Sequence, residues 1–297
     1  MANLKEVKSR IQSVVSTQQI TKAMKMVAAA KLKRAQDRIT QMRPYAQKLS
    51  EILINVSAAA SENIDNEYGN VREVRNVLII PVTSDKGLCG AFNSNVFRNT
   101  TVYISANLKD EFRNGNVDIL PIGKKAFDFY RKRDYNVINT FKDTLSDLNF
   151  DSARLAAEFA MESFKNGKYD QVLLVYNEFK NVATQVVVAE QFLPIQKAAV
   201  EEKGGNSTAV DYIFEPSEEK IIEELIPKSL KVQFYKALLE SNASEHGARM
   251  TAMDKATENA GELLKELRLT YNRTRQAAIT TEILEIVAGA EALASSR

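Results

Sequence analysis

Two long stretches at opposite ends of the chain constrain its fold more than anything else. Leu4, Val7, Ile11 and Val14 are spaced three and four apart, and Leu32, Ala35, Ile39 and Met42 resume the same register. That spacing lines one face of a helix. At the other end, no proline occurs from Lys228 to about Leu293. There Met250, Met253, Thr257, Ala260, Leu264, Leu267 and Tyr271 repeat the 3-4 pattern, which continues through Thr274, Ala278 and Thr281. Some 55 helical residues span roughly 80 Å and sixty-odd span about 100 Å, far beyond the width of a small core. Two such helices with heptad seams are expected to pack as an antiparallel coiled coil. Pro44 is expected to kink the first helix without ending it.

Both seams carry irregularities. In the N-terminal register the positions between Val14 and Leu32 fall on Gln18, Thr21 and Lys25, all polar, while the apolar residues slide to Ile20, Met24 and Val27. On the C-terminal side Gly247, Gly261 and Gly289 each cost about 1 kcal/mol in a helix, which points to close approach of a neighbouring backbone.

Between the ends the pattern changes to β-branched runs alternating with helical stretches. Strands are predicted at Val77–Val82, Val117–Ile122, Tyr135–Thr140 and Gln171–Tyr176, with helices near Asn95–Arg113, Lys124–Arg133 and Asp147–Asn166. Phe179–Leu193 adds an extended run, and 201–210 is a loop. Such alternation calls for a mainly parallel sheet with right-handed crossovers, a Rossmann-like α/β domain. The expected division is an N-terminal helix over 1–60, an α/β domain over 70–215 and a C-terminal helix over 216–297.

The "SDKGLCGAFN" loop at 84–93 follows a strand, where nucleotide enzymes hold phosphate. A Walker loop needs Lys after its second glycine, but Lys86 precedes Gly87 and Ala91 follows Gly90. A dinucleotide fingerprint needs three glycines and this loop has two. The glycines are expected to serve the turn, and Asn93 or Ser94 to cap the following helix. No cofactor is expected. The only histidine, His246, lies in the C-terminal helix without a second histidine or cysteine to make a metal site, and is expected at the surface or an interface. The carboxylates fall on helix faces among Lys and Arg, and no catalytic constellation stands out. The single cysteine, Cys89, excludes an internal disulfide.

The net charge is +2, but in residues 1–50 eleven Lys and Arg stand against Glu6 and Asp37. A basic arm on an otherwise acidic chain suggests an acidic partner, or a solvated helix face. Nucleic acid is disfavoured, since Tyr45 is the only aromatic residue there. The arm's lysines and unbroken helical pattern set it apart from a transit peptide.

Three stretches, "RIQSVVSTQQITKAMKMVAAAKLKRAQ" (10–36), "SDKGLCGAFN" (84–93) and "ARMTAMDKATENAGELLKELRLTYNRTRQAAITTEILEIVAGAEAL" (248–293), resemble the γ subunit of the F-type rotary ATP synthase. The resemblance implies a non-catalytic shaft, one copy per complex, turning inside a hexamer of α and β subunits. It also implies a lower domain docked with the ε subunit on the membrane c ring, coupling proton flow to ATP synthesis or hydrolysis. By the same resemblance Lys22, Met24 and Lys25 face an acidic loop of β, and Arg275, Gln276 and Thr280 make polar contacts with β. Ile283, Val287 and Leu293 form the tip in an apolar sleeve. Tyr212 and Glu215 belong to the foot near the c ring, and Lys86, Leu88 and Asn93 to ε or ring docking. Polar residues then replace the seam where the shaft touches a moving partner. Met1 directly before the motif favours a bacterial source, placing the chain at the cytoplasmic face of the inner membrane. The alternative is a static coiled-coil adaptor whose α/β domain binds a partner, or an enzyme using the 84–93 loop. The coupling ion and ring size are properties of the partners.

Overall fold

The computed structural model describes residues 4–59, 67–195 and 218–295. The element order is α1 (Leu4–Ala59), β1 (Val77–Pro81), α2 (Phe92–Asn107), α3 (Lys109–Arg113), β2 (Val117–Ile119), α4 (Lys124–Tyr130), β3 (Asn136–Val137), α5 (Phe150–Lys165), β4 (Gln171–Phe179), β5 (Gln185–Leu193) and α6 (Glu218–Ser295). The chain separates into two compact units, residues 1–28 with 250–297 and residues 29–249. The long helices at both ends and the α/β domain between them are those expected from the seams and the alternating pattern.

α1 runs 56 residues through Pro44 without a break. α6 runs 78 residues and starts ten residues earlier than the proline-free pattern suggested, carrying Pro227 inside it. A proline there removes one helical hydrogen bond. The flanking turns compensate by burying Ile226, Leu230, Val232 and Phe234.

In the second unit, the sheet has the order β3-β2-β1-β4-β5. β1 pairs in parallel with β2 and β4, β2 with β3, and β5 returns antiparallel to β4. β1 and the centre of β4 are buried on both faces, as Val77–Ile80 and Val172–Val175 show, which is why both read as continuous apolar runs. One face is covered by Val96, Ile104, Leu108, Ala126 and Tyr130. α5 buries a stripe of small residues, Ala153, Ala156, Ala157 and Ala160.

Several element boundaries differ from expectation. β2 stops at Ile119, with a lone bridge from Val82 to Ile122 beyond it, and β3 is two residues long. The predicted 95–113 helix is two helices, interrupted at the buried Leu108 (φ −133°). α2 begins earlier, at Phe92, with Ala91 before it and no side-chain cap. Asn149 instead caps α5, accepting from the Ser152 amide at 2.8 Å in a capping box.

Candidate functional site

In the first unit the two helices meet along their seams. Val7, Ala28, Met253, Ala260 and Leu264 are buried there. Contacts step down one helix as they step up the other: Gln18 with Thr257, Thr21 with Thr257, Lys25 with Asp254. The pair is therefore antiparallel. It also corrects one expectation. Gln18, Thr21 and Lys25 do not form an outward polar surface; their seam position turns them onto the facing helix. Thr21 is buried, its hydroxyl 2.8 Å from that of Thr257, and Lys25 pairs with Asp254.

The outward face over the same turns is mixed, with Thr17 and Gln19 exposed beside an apolar patch. Ile20, Met26 and Val27 are exposed, Lys22 is exposed beside them and Met24 is half-buried. The signal for this patch was present in the sequence, since Ile20 and Val27 lie off the seam and have no partner on it.

Farther along α6 every residue from Arg275 to Ala292 is exposed. Continuing the helical step places Leu4, the first described residue of α1, level with about residue 275. Arg275, Gln276 and Thr280 are exposed, and the Thr280 hydroxyl is spent on the Gln276 carbonyl at 2.9 Å. Ile279, Ile283, Leu284, Ile286 and Val287 follow, Ile286 at 72% exposure. Arg275 lies roughly 30 Å along the helix from the Lys25–Asp254 contact, so these residues and the Met24 group are two separate surface groups rather than one. Leu293 belongs to α6 by backbone, and its side chain lies outside the description, as do Tyr212 and Glu215 altogether.

Lys86, Leu88 and Asn93 belong to the second unit, the first two in the loop after β1 and Asn93 in the first turn of α2. Strand order reverses between β1 and β4, the position where open α/β sheets bind ligands. Here that crevice is occupied by α6. Arg249 donates from Nη2 to the carbonyls of Lys86 (2.8 Å) and Gly87 (3.3 Å) and from Nη1 to Glu245 Oε1 (2.6 Å). Ser244 donates to the Asn177 carbonyl at 3.0 Å, and Ala248 packs on Cys89 and Phe92. The loop thus turns carbonyl oxygens toward a guanidinium, the polarity opposite to a phosphate cradle, which needs N–H donors.

Asn93 caps no helix. Its Oδ1 accepts from the Ser84 amide (2.9 Å) and its Nδ2 donates to Ser84 Oγ (2.8 Å) and Cys89 Sγ (3.3 Å). It holds the loop from inside. Gly90 has the positive φ expected of a turn glycine, whereas Gly87 does not; Leu88 takes a left-handed conformation instead, φ 62°, and is 66% exposed. A bulky residue there is strained unless its surroundings fix it. Lys86 is exposed at its side.

His246 is buried rather than superficial. Burial, with Arg249 and Lys31 nearby, drives its pKa down to about 4, so it is neutral at pH 7. Burial likewise raises Glu245, opposed by Arg249, and raises the Cys89 thiol. Among the described residues no group of three His, Cys, Asp or Glu is placed to hold a metal, and no helix is long and apolar enough to cross a membrane.

A family model described as ATP synthase matches residues 3–293. The ATP synthase gamma chain of Cytophaga hutchinsonii is 58% identical over 293 residues, 99% of each chain, and that of Christiangramia forsetii is 54% identical over the same coverage. Among solved structures, a chain of the Tetrahymena thermophila mitochondrial ATP synthase central stalk and c-ring matches 80% of this chain and 99% of its own at 29% identity, TM-score 0.55. A chain from the Euglena gracilis mitochondrial ATP synthase shares the fold, TM-score 0.64 over 98% of this chain and 94% of that one at 22% identity. The helical pair, the α/β domain and these full-length likenesses lead to one statement: the chain belongs to the ATP synthase gamma chain family.

Proposed function

We propose that the chain is the central shaft of a proton-translocating F-type ATP synthase, itself non-catalytic, one copy turning inside the hexamer of α and β subunits. The observation that carries this reading is the bare end of α6. From Ile279 to Val287 five large apolar side chains are exposed on a helix end that none of the described residues covers. A patch of that kind marks a surface meant for a partner. By the helical step the five lie on one broad face of α6, with Thr281, Glu282 and Glu285 on the other, so the apolar contact with a surrounding partner is made along that face.

Ile283, Val287 and Leu293 are then the tip, and Arg275, Gln276 and Thr280 the polar collar below it that meets β. Lys22 and Met24, with the exposed Ile20, Met26 and Val27, face an acidic element of β; Lys25, ion-paired to Asp254, contributes less to that face than to the helix pair. Leu88 and Lys86 present the lower loop to ε or the c ring, with Asn93 supporting that loop from behind. Tyr212 and Glu215 complete the foot. On this reading the functional division is 1–60 and 216–297 as shaft helices and 70–215 as lower domain, peripheral on the cytoplasmic face of a bacterial inner membrane. A static adaptor is disfavoured by the exposed tip; the polar break in the seam no longer bears on that choice.

The test is to co-express the tagged full chain with α and β subunits and to measure mass and ATPase activity of the purified assembly. One copy per six nucleotide-binding subunits, with activity far above the chain alone, is expected. No complex, or another stoichiometry, returns the adaptor.

A further inference from the structure

Over two turns of the first unit the seam is polar, and its polar groups satisfy one another. Thr21 Oγ1 lies 3.0 Å from the Gln18 carbonyl and 2.8 Å from Thr257 Oγ1, which in turn lies 2.7 Å from the Met253 carbonyl. Whichever way the Thr257 proton points, both hydroxyls find an acceptor. Gln18 Nε2 donates to the Thr257 carbonyl at 3.4 Å, and Lys25 is ion-paired with Asp254 one turn along. Gly261 belongs to the same layer, because a Cβ there would stand 3.1 Å from Gln18 Nε2. Around this layer the buried seam is apolar, formed by Val7, Ala28, Met253, Ala260 and Leu264.

Apolar seam residues tolerate a slip of one heptad, because one aliphatic side chain replaces another in the same groove. The polar layer does not. A slip by seven residues puts Thr21 opposite Met250 or Leu264, strands two hydroxyls against hydrocarbon and separates Lys25 from Asp254. Polar residues at seam positions specify register at some expense of stability. We propose that Gln18, Thr21 and Lys25 facing Gly261, Thr257 and Asp254 are the register lock of the helical pair. They position the outward residues Ile20, Lys22 and Met24 at one fixed height along the shaft. The inference concerns the chain's own helices and does not depend on what encloses them.

The experiment places spin labels on the full chain at two exposed positions of this unit, Ser16→Cys and Lys265→Cys, in a Cys89→Ser background, and reads the inter-label distance distribution. A single population is expected in this background and in the conservative Thr21→Ser/Thr257→Ser form. Replacing the layer by Gln18→Leu, Thr21→Val, Lys25→Leu, Asp254→Leu and Thr257→Val is expected to leave the urea midpoint equal or higher. It is also expected to add a second distance population matching a slip of one heptad, about 10 Å along the axis. A single unshifted population in the apolar variant overturns the proposal. Should that variant aggregate, Thr21→Val/Thr257→Val alone is held to the same two outcomes.

Discussion

Arg249 of α6 and Lys86 of the loop after β1 are 163 residues apart in sequence and joined by a 2.8 Å bond from Nη2 to the Lys86 carbonyl. The same guanidinium satisfies Glu245, and both side chains are nearly buried. Arg249→Ala removes the loop's anchor and leaves a buried carboxylate alone, so a loss of about 3 kcal/mol in urea unfolding is expected. Arg249→Lys is expected to recover only part of it, because an ammonium cannot reproduce the fork that serves Glu245 and two carbonyls together. An Arg249→Lys chain as stable as the parent would show that charge alone suffices.

Gly123 joins β2 to α4 with φ 102°, and a Cβ there would sit 2.2 Å from the Thr83 carbonyl oxygen. Both the backbone conformation and the space exclude a side chain. The Thr83 hydroxyl also accepts from the Ala126 amide at 2.8 Å, so the strand end cannot retreat without breaking that bond. Gly123→Ala is expected to destabilise by about 3 kcal/mol or more, seen as a drop of several degrees in melting temperature.

These two sites mark the limit of what the sequence made legible. The long helices were visible because their periodicity persists over many turns, and β1 and β4 because burial on both faces demands an unbroken apolar run. β3 was overcalled at Tyr135–Thr140, since two residues of pairing leave almost no pattern. Asn93 looked like a cap because its chemistry is the same whether it binds a helix end or a loop interior. The polar break at Gln18, Thr21 and Lys25 was legible as a break, yet its direction depends on what lies opposite. Leu88 carries no sign in the sequence of its left-handed backbone, φ 62°, a conformation that a bulky residue rarely adopts.

His246 gives a pH dependence with a defined sign. Its pKa is lowered to about 4, against an ordinary 6.5, so the native chain resists protonating it. Stability from this residue is fully present above about pH 6.5 and is lost as pH falls toward 4. The groups around it are Arg249, Lys31 and the neighbouring Glu245, whose raised pKa acts in the opposite sense. Comparison with His246→Gln isolates the histidine. The parent is expected to lose on the order of 2 kcal/mol more than the variant between pH 7 and pH 4.5. Equal losses would mean that His246 is accessible to protons in the native chain.

Gly261 offers a sign reversal. In an open helix Gly→Ala stabilises by about 1 kcal/mol. Here the new methyl meets Gln18 Nε2 at 3.1 Å, so Gly261→Ala alone is expected to be neutral or destabilising. In a Gln18→Ala background the obstacle is gone and the same change is expected to stabilise. A double-mutant cycle in urea reads the difference directly, and additive effects would remove Gln18 from the account of this glycine.

The tip separates folding from partnership. Ile283 and Val287 are exposed and have no buried contact to lose, so Ile283→Ser/Val287→Ser is expected to leave the chain's own unfolding within about 0.5 kcal/mol. In the assembly with α and β the same pair faces the proposed apolar sleeve, where two hydroxyls without partners carry a desolvation penalty of about 1–3 kcal/mol each. ATPase activity of the complex is therefore expected to fall several-fold while stoichiometry is kept. Arg275→Ala/Gln276→Ala, also neutral for the isolated chain by exposure, is expected to cost more activity than removing residues 294–297, because it strips the polar collar rather than the end. Equal losses from the two changes would shift the functional weight from the collar to the extreme tip.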